Sequence, residues 1–498
     1  MKKDLEIIDR YQKEIILLGQ ASALLGWDQQ TYMPKKGVHA RAEQSAILSS
    51  VIHEKFLSDE FFNAVKNLNK EKLDIKTKFL VQKLFKELSK ARNIPKEFVE
   101  ELSKAQALSF HAWQEARDKN KFSIFQPHLE KITDLRRKQA DYLNYFLNFD
   151  NRYDALLDGF EEGMTSEKLK PLFDELKVGL IKLLKNIKES KVYKSHKEVL
   201  LKKDFPKDIQ IEFAKDVFKR IGLSEDISRI DLAEHPFETR IGVNDIRITT
   251  NVRNDPLFAF GSTIHEAGHA LYEFSLSESG TYNFLRDAPS TGLHESQSRF
   301  WELSIGMQKP FWEFYFPKFN DKFNLQGTLN DWYKEINHVK PSLIRIESDE
   351  VHYCLHIIIR FEIETELLEG KIQVKDLPKI WNEKMKKYIG IVPKTDKEGV
   401  MQDVHWSEGY FGYFPTYAIG TMYAAQIYYA IKKDIPSMDN EIKKGDYSII
   451  RKWLHEKIHK YGAEMYANEI IEKATGEGLN PKKFIEYLNK KYQELYQF

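Results

Sequence analysis

Two histidines and a glutamate stand close together in His265-Glu266-Ala267-Gly268-His269. On a helix, positions i and i+4 share a face and lie about 6 Å apart along the axis, so both imidazoles can reach one Zn²⁺. Glu266 then points beside the ion, where a carboxylate can take a proton from the water that attacks a carbonyl. A zinc centre of this kind needs a third protein ligand and one open position. Glu295, in Gly292-Leu293-His294-Glu295-Ser296-Gln297, is the best candidate. His294 is its rival, and is otherwise read as a capping histidine or one that hydrogen-bonds beside the metal. A bare HEXXH motif also arises by accident. Here its flanks are helical in pattern, with Ile264, Gly268 and Leu271 on one face and His265, His269 and Tyr272 on another. The chemistry implied is that of a zinc peptidase.

These side chains must be held by helices. Apolar residues recur at three- and four-residue spacing over 5–25, 75–91, 98–116, 125–149, 166–187, 209–221, 341–368 and 415–431, and again to the end. One segment departs from that rhythm. Ile241, Val243, Ile246, Ile248 and Val252 tend to alternate, and Gly242 with Asn244-Asp245 supplies turn chemistry, so the spacing predicts a short hairpin just before the metal helix. An edge strand there could pair with an extended peptide. In Asp245-Ile246-Arg247-Ile248-Thr249 the polar residues share one face, which suits a substrate groove as well as an ordinary half-solvated strand.

Two further clusters carry chemistry. Arg345, Asp349, His352 and His356 fall on one face of the helix expected over 341–368, where Arg345 and Asp349 could form a plain i,i+4 ion pair. Gly399 to Trp406 contains His405 and is followed by Tyr410, Tyr413 and Tyr417. Histidine and tyrosine are suitable donors to the oxyanion formed in zinc hydrolysis, although aromatic density equally serves packing.

Composition narrows the class. The 498 residues carry a formal net charge of +1 with 30% charged residues, which argues against a nucleic-acid partner. Sixteen prolines and 24 glycines form no linker-like run, so no clean domain split is expected. Cys354 is the only cysteine, which excludes an intramolecular disulfide. The charged start Met1-Lys2-Lys3-Asp4 does not resemble a signal peptide, and no run approaches the ~18 apolar residues of a membrane span. A cytoplasmic protein that does not engage a membrane is expected.

Taken together, the motifs resemble the carboxypeptidase Taq family of zinc metallocarboxypeptidases. The resemblance runs through His235-Pro236-Phe237, Asp245 to Thr249 (D-x-R-x-T), HEAGH, His294-Glu295-Ser296-Gln297, Ile344-Arg345-Ile346-Glu347-Ser348-Asp349 and Gly399 to Trp406 (G-x-x-Q-D-x-H-W). Trp27-Asp28, Met33-Pro34 and Arg41-Ala42-Glu43-Gln44 also fit, while Ser348 stands where alanine is usual. The resemblance implies a mostly α, two-lobed molecule, one peptidase unit over 1–498, with a deep groove and a small hairpin or sheet beside the zinc helix, similar to neurolysin and angiotensin-converting enzyme. It implies one zinc per chain on His265, His269 and Glu295, replaceable by Co²⁺, with Glu266 as general base and acid. It further implies that Arg345 meets the substrate carboxylate, that Arg247, Asp245, Thr249 and His235 belong to substrate binding, and that His405 with Tyr417 or Tyr410 donates to the oxyanion. Such enzymes are homodimers that remove single residues from peptide carboxyl ends with broad preference. The rival readings are a zinc oligoendopeptidase on the same fold and a non-catalytic peptide-binding protein, against which Glu266 speaks.

Overall fold

The computed structural model describes residues 1–277 and 282–498. Among the described residues the chain is mostly helical with one three-stranded sheet. It divides into two compact units, each assembled from three stretches of sequence: residues 1–88, 197–336 and 423–479 in one, and 89–196, 337–422 and 480–498 in the other. Two of the cuts fall inside the helices Ile75–Asn93 and Pro415–Asp434, which is why no Gly- or Pro-rich linker marks them.

In the first unit, helix Lys2–Thr31 packs on helices Val38–Phe56 and Asp59–Leu68. Ile8, Ile15, Phe61, Val65, Leu68 and Leu84 form a core there that also takes in Leu285 and Ala463. The sheet consists of β1 (Ser228–Leu232), β2 (Glu238–Gly242) and β3 (Asp245–Thr250) in the order β1-β3-β2. β2 and β3 form the expected hairpin, with Asn244 at φ 59° supplying the left-handed turn residue. β1 adds in parallel on the other side of β3. The D-x-R-x-T strand is therefore central, and its backbone is paired along both sides. It offers no edge to a peptide; only β1 and β2 could.

The metal helix, Pro256–Ser277, lies against β2 and β3. Asp255 Oδ1 accepts the Leu257 N–H at 2.9 Å, and Pro256 needs no N–H partner at the first helical position. Ile264, Ala267, Ala270 and Tyr272 are fully buried. Gly268 is required by a close approach: a Cβ there would come within 2.7 Å of Gln297 O and Ser298 Cα. Those atoms belong to helix Thr291–Arg299, which Ser290 caps through its Oγ at 3.0 Å from Leu293 N, and which runs on as π-helical turns over Phe300–Gly306.

In the second unit, helices Lys96–Asp118 and Phe122–Leu147 pack along each other. Helix Tyr353–Leu368 is buried on nearly every side, His356, Arg360 and Glu364 included, and is its spine. It starts later than the spacing over 341–368 predicts. Arg345–Glu347 is an isolated 3₁₀ turn, and the stretch between is irregular. Local polar bonds compete with the helix: Ser348 Oγ donates to Ile344 O at 3.1 Å, and Asp349 Oδ1 accepts the Val351 and His352 N–H groups at 2.8 and 2.9 Å. Arg345 and Asp349 thus do not share a helical face. The other helices expected from spacing are present as Lys2–Thr31, Ile75–Asn93, Lys96–Asp118, Phe122–Leu147, Ser166–Glu189, Lys207–Arg220 and Pro415–Asp434. Among the described residues no helix is long and apolar enough to cross a membrane.

Candidate active site

The i,i+4 histidines and Glu295 converge. Glu295 Oε2 lies 3.4 Å from His269 Nε2 and 3.6 Å from His265 Nε2, and one ligand-type atom from each residue fits within a 4.8 Å cluster. Donor–metal bonds of about 2.0–2.1 Å in tetrahedral array set donors about 3.3–3.4 Å apart, so the three residues suit a zinc-sized ion. Their surroundings fix which atoms face inward. Glu302 Oε2 sits 2.8 Å from His265 Nδ1, which turns Nε2 toward the cluster. His269 is steered differently: its ring stacks on His294 with centroids 4.4 Å apart and an interplanar angle of 19°. His294 in turn meets Glu273 Oε1 at 2.9 Å, and Arg240 pairs with the other oxygen of Glu273 at 2.6 Å. The structure thus gives Glu295 the place facing both ring nitrogens, and His294 the place of a hydrogen-bonded neighbour.

Glu266 is buried beside this cluster. Desolvation pushes its carboxyl up to about 7, His265 opposes the shift, and Glu295 and Glu302 reinforce it. Such a group exchanges protons readily near neutral pH. Desolvation resists charge on His265, but Glu295 and Glu302 outweigh it and draw the imidazole up to about 9. Desolvation holds His269 down at about 4, with His294 adding to the effect. Glu295 stays well below the usual carboxylate range: burial works against its charge, and His265, His269 and Arg299 overcome it.

On β3, Asp245 grips Arg247 with both oxygens, at 2.8 Å each. The Arg247 guanidinium lies 4.3 Å from the Trp27 ring centroid, in a helix whose Asp28 is tied to Arg41 at 2.7 Å. Thr249 is fully buried, and its Oγ1 accepts the Phe237 N–H at 2.9 Å. His235 is exposed, with its carbonyl 3.5 Å from the same hydroxyl.

The second unit gathers the remaining candidates. Arg345 donates from Nε and Nη2 to Asp403 Oδ1 at 3.1 and 3.0 Å, and from Nη1 to Tyr353 OH at 3.0 Å. Asp403, not Asp349, is the residue that orients it; Asp349 is occupied with His352 Nδ1 at 2.6 Å. Arg360 Nε reaches Asp403 Oδ2 at 2.7 Å, so two guanidiniums share one carboxylate. Gln402 Oε1 accepts from Arg345 N and Arg360 Nη2, both at 2.9 Å. His405 Nε2 lies 3.4 Å from Tyr417 OH, and the Arg345 guanidinium lies 4.8 Å from the Tyr417 ring centroid. Desolvation depresses His405 to about 4; Asp403 opposes this, and Arg345 and Arg360 add to it. Its imidazole is therefore neutral at pH 7. Tyr410 is exposed on the loop, its ring 5.9 Å from that of Tyr413. Glu364 anchors this loop, accepting Trp406 Nε1 at 2.7 Å and Gly412 N at 3.1 Å.

Sequence reasoning missed Arg299, Glu302, Arg360 and Glu364. Arg299 and Glu302 follow Glu295 at i+4 and i+7, and Arg360 follows His356 at i+4, so helical spacing from an already chosen residue would have found three of the four.

Comparison with known proteins identifies the family. The family described as carboxypeptidase Taq (M32) metallopeptidase matches residues 7–492. Carboxypeptidase 1 of Bacillus subtilis is 40% identical over 98% of this chain and 99% of its own length. Thermostable carboxypeptidase 1 of Pyrococcus furiosus is 38% identical over 98% of each chain. The crystal structure of the M32 carboxypeptidase from Deinococcus radiodurans superposes with a TM-score of 0.95 at 35% identity, covering 100% of both chains.

Proposed function

The chain belongs to the carboxypeptidase Taq (M32) family and is a metallocarboxypeptidase; from that premise we propose that it uses one zinc ion, on His265, His269 and Glu295, to release carboxyl-terminal residues from peptides with broad preference. The convergence of those three donors at tetrahedral spacing carries the reading. Zinc held there supplies Lewis acidity, polarising a carbonyl and acidifying water. Glu266 takes the proton of the attacking water and passes it to the leaving amine. His405, neutral and beside Tyr417, donates to the oxyanion, with Tyr410 in reserve.

Arg345 receives the free carboxylate. Two guanidiniums against the single Asp403 leave one positive charge uncompensated between them, which favours an anion. Asp245 and Arg247 contact the peptide, while Thr249 and His235 act through the chain turn that Thr249 holds. The protein works as a cytoplasmic homodimer, and Co²⁺ can replace zinc. The test is metal content together with hydrolysis of an amino-blocked dipeptide, before and after chelation and with zinc restored. Unchanged turnover in the metal-free protein sinks the zinc reading.

A further inference from the structure

Arg299 stands one helical turn after Glu295 and is buried between two carboxylates. Its Nε donates to Glu295 Oε1 at 2.9 Å, and its Nη1 to Glu302 Oε2 at 3.1 Å. That Glu302 oxygen also meets His265 Nδ1 at 2.8 Å, so the guanidinium is fixed at both ends. The other oxygen of Glu295, Oε2, faces the two Nε2 atoms at 3.4 and 3.6 Å. Ser298 Oγ also reaches Oε2, at 3.1 Å, through a hydroxyl shared with the Glu295 carbonyl at 2.7 Å. The two oxygens of one carboxylate therefore have separate assignments. A carboxylate without such a restraint can give both oxygens to a metal, filling the position that a catalytic site must keep open.

We propose that Arg299 is a positioning residue that confines Glu295 to a single ligating oxygen and so keeps a coordination position free for substrate and water. This rests on the ligand set proposed above. The guanidinium suits the task because its planar fork holds one oxygen of each of two carboxylates in a fixed geometry, which an ammonium cannot do.

The test is made on the cobalt-substituted protein. Arg299→Met should keep its full equivalent of Co²⁺, yet its visible absorption should weaken, because five-coordinate cobalt absorbs less strongly than four-coordinate cobalt. Its kcat should fall roughly 10- to 100-fold, the usual cost of removing a group that orients a ligand, with KM little changed. Ser290→Ala removes the cap of the helix that carries Glu295, leaves Arg299 on Oε1 and should keep the wild-type spectrum. An Arg299→Met spectrum identical to wild type at full occupancy overturns the proposal. So does an equal weakening in Ser290→Ala, which would mark general loosening. If far-ultraviolet circular dichroism shows Arg299→Met unfolded, Arg299→Gln takes its place: a weakened band supports the role, an unchanged one overturns it. His269→Ala separates the two levels of inference. It should lose the cobalt band altogether, and a band persisting there overturns the ligand set itself.

Discussion

At the scale of single residues, three side chains should separate proton transfer, oxyanion stabilisation and substrate recognition. Glu266→Gln keeps the shape and removes the base. Turnover should fall roughly 10²–10⁴-fold, the usual share of general acid–base catalysis, with zinc still bound. Near-normal turnover at full zinc occupancy would mean that another group activates the water. His405→Ala should lower kcat roughly 10²–10³-fold, as for a lost oxyanion donor, more than it raises KM; an effect on KM alone would make His405 a substrate-positioning residue. Arg345 decides between carboxypeptidase and endopeptidase behaviour. A hydrogen bond to a charged group contributes about 1.5–3 kcal/mol, or roughly ten- to a hundred-fold in kcat/KM. Arg345→Ala should lose at least that on peptides with a free carboxylate and little on the matching amides. Equal losses on both would make the residue structural, a real alternative given that Asp403 and Tyr353 already hold it.

At the scale of elements, Gly268 joins the metal helix to the helix that carries Glu295. The atoms a Cβ would strike, Gln297 O and Ser298 Cα, are backbone and cannot swing aside. Gly268→Ala should therefore push the two helices apart, at about 1–3 kcal/mol, the common cost of overpacking. Zinc should bind more weakly as well, since Glu295 moves away from the histidines. Chemical denaturation of the metal-free protein and a zinc titration of the native one would read the two effects; wild-type values in both would show that the approach is slack. The β-hairpin beside this helix is legible from alternation and turn residues, and its place in the sheet is not. Nothing in Ser228–Leu232 announces that it will pair with β3 and make the D-x-R-x-T strand central.

At the scale of the whole molecule, buried neutral histidines tie stability to pH. His459 is buried, its Nε2 2.9 Å from Gln297 Oε1, and desolvation lowers it from 6.5 to about 3, with His455 adding to the shift. The unfolded chain takes up a proton below about pH 6.5 that the folded chain refuses until about pH 3. Stability from this group is complete above pH 6.5 and erodes as the pH falls through that window, at up to about 1.4 kcal/mol per pH unit. In His459→Gln, denaturation measured from pH 7 to pH 4 should show a shallower fall than in wild type. An equal slope would place the acid sensitivity elsewhere.

The sequence by itself marked the candidate metal ligands and the candidate base. HEXXH spacing and the following Glu295 name a metal site because a helix converts i,i+4 into one face, and that conversion needs no long-range information. The apolar rhythm likewise marked eight helical stretches, because burial of one face imposes its period on the chain. It failed at 341–352, where Ser348 and Asp349 bond to nearby backbone and hold the chain out of the helix that the spacing suggests. Only the tertiary structure decided partners across long separations. Arg345 is oriented by Asp403, 58 residues away, and not by Asp349. His265 finds its orienting carboxylate in Glu302, 37 residues on. Charge pairing is set by which elements pack together, and periodicity along one element carries no record of the element that will lie against it.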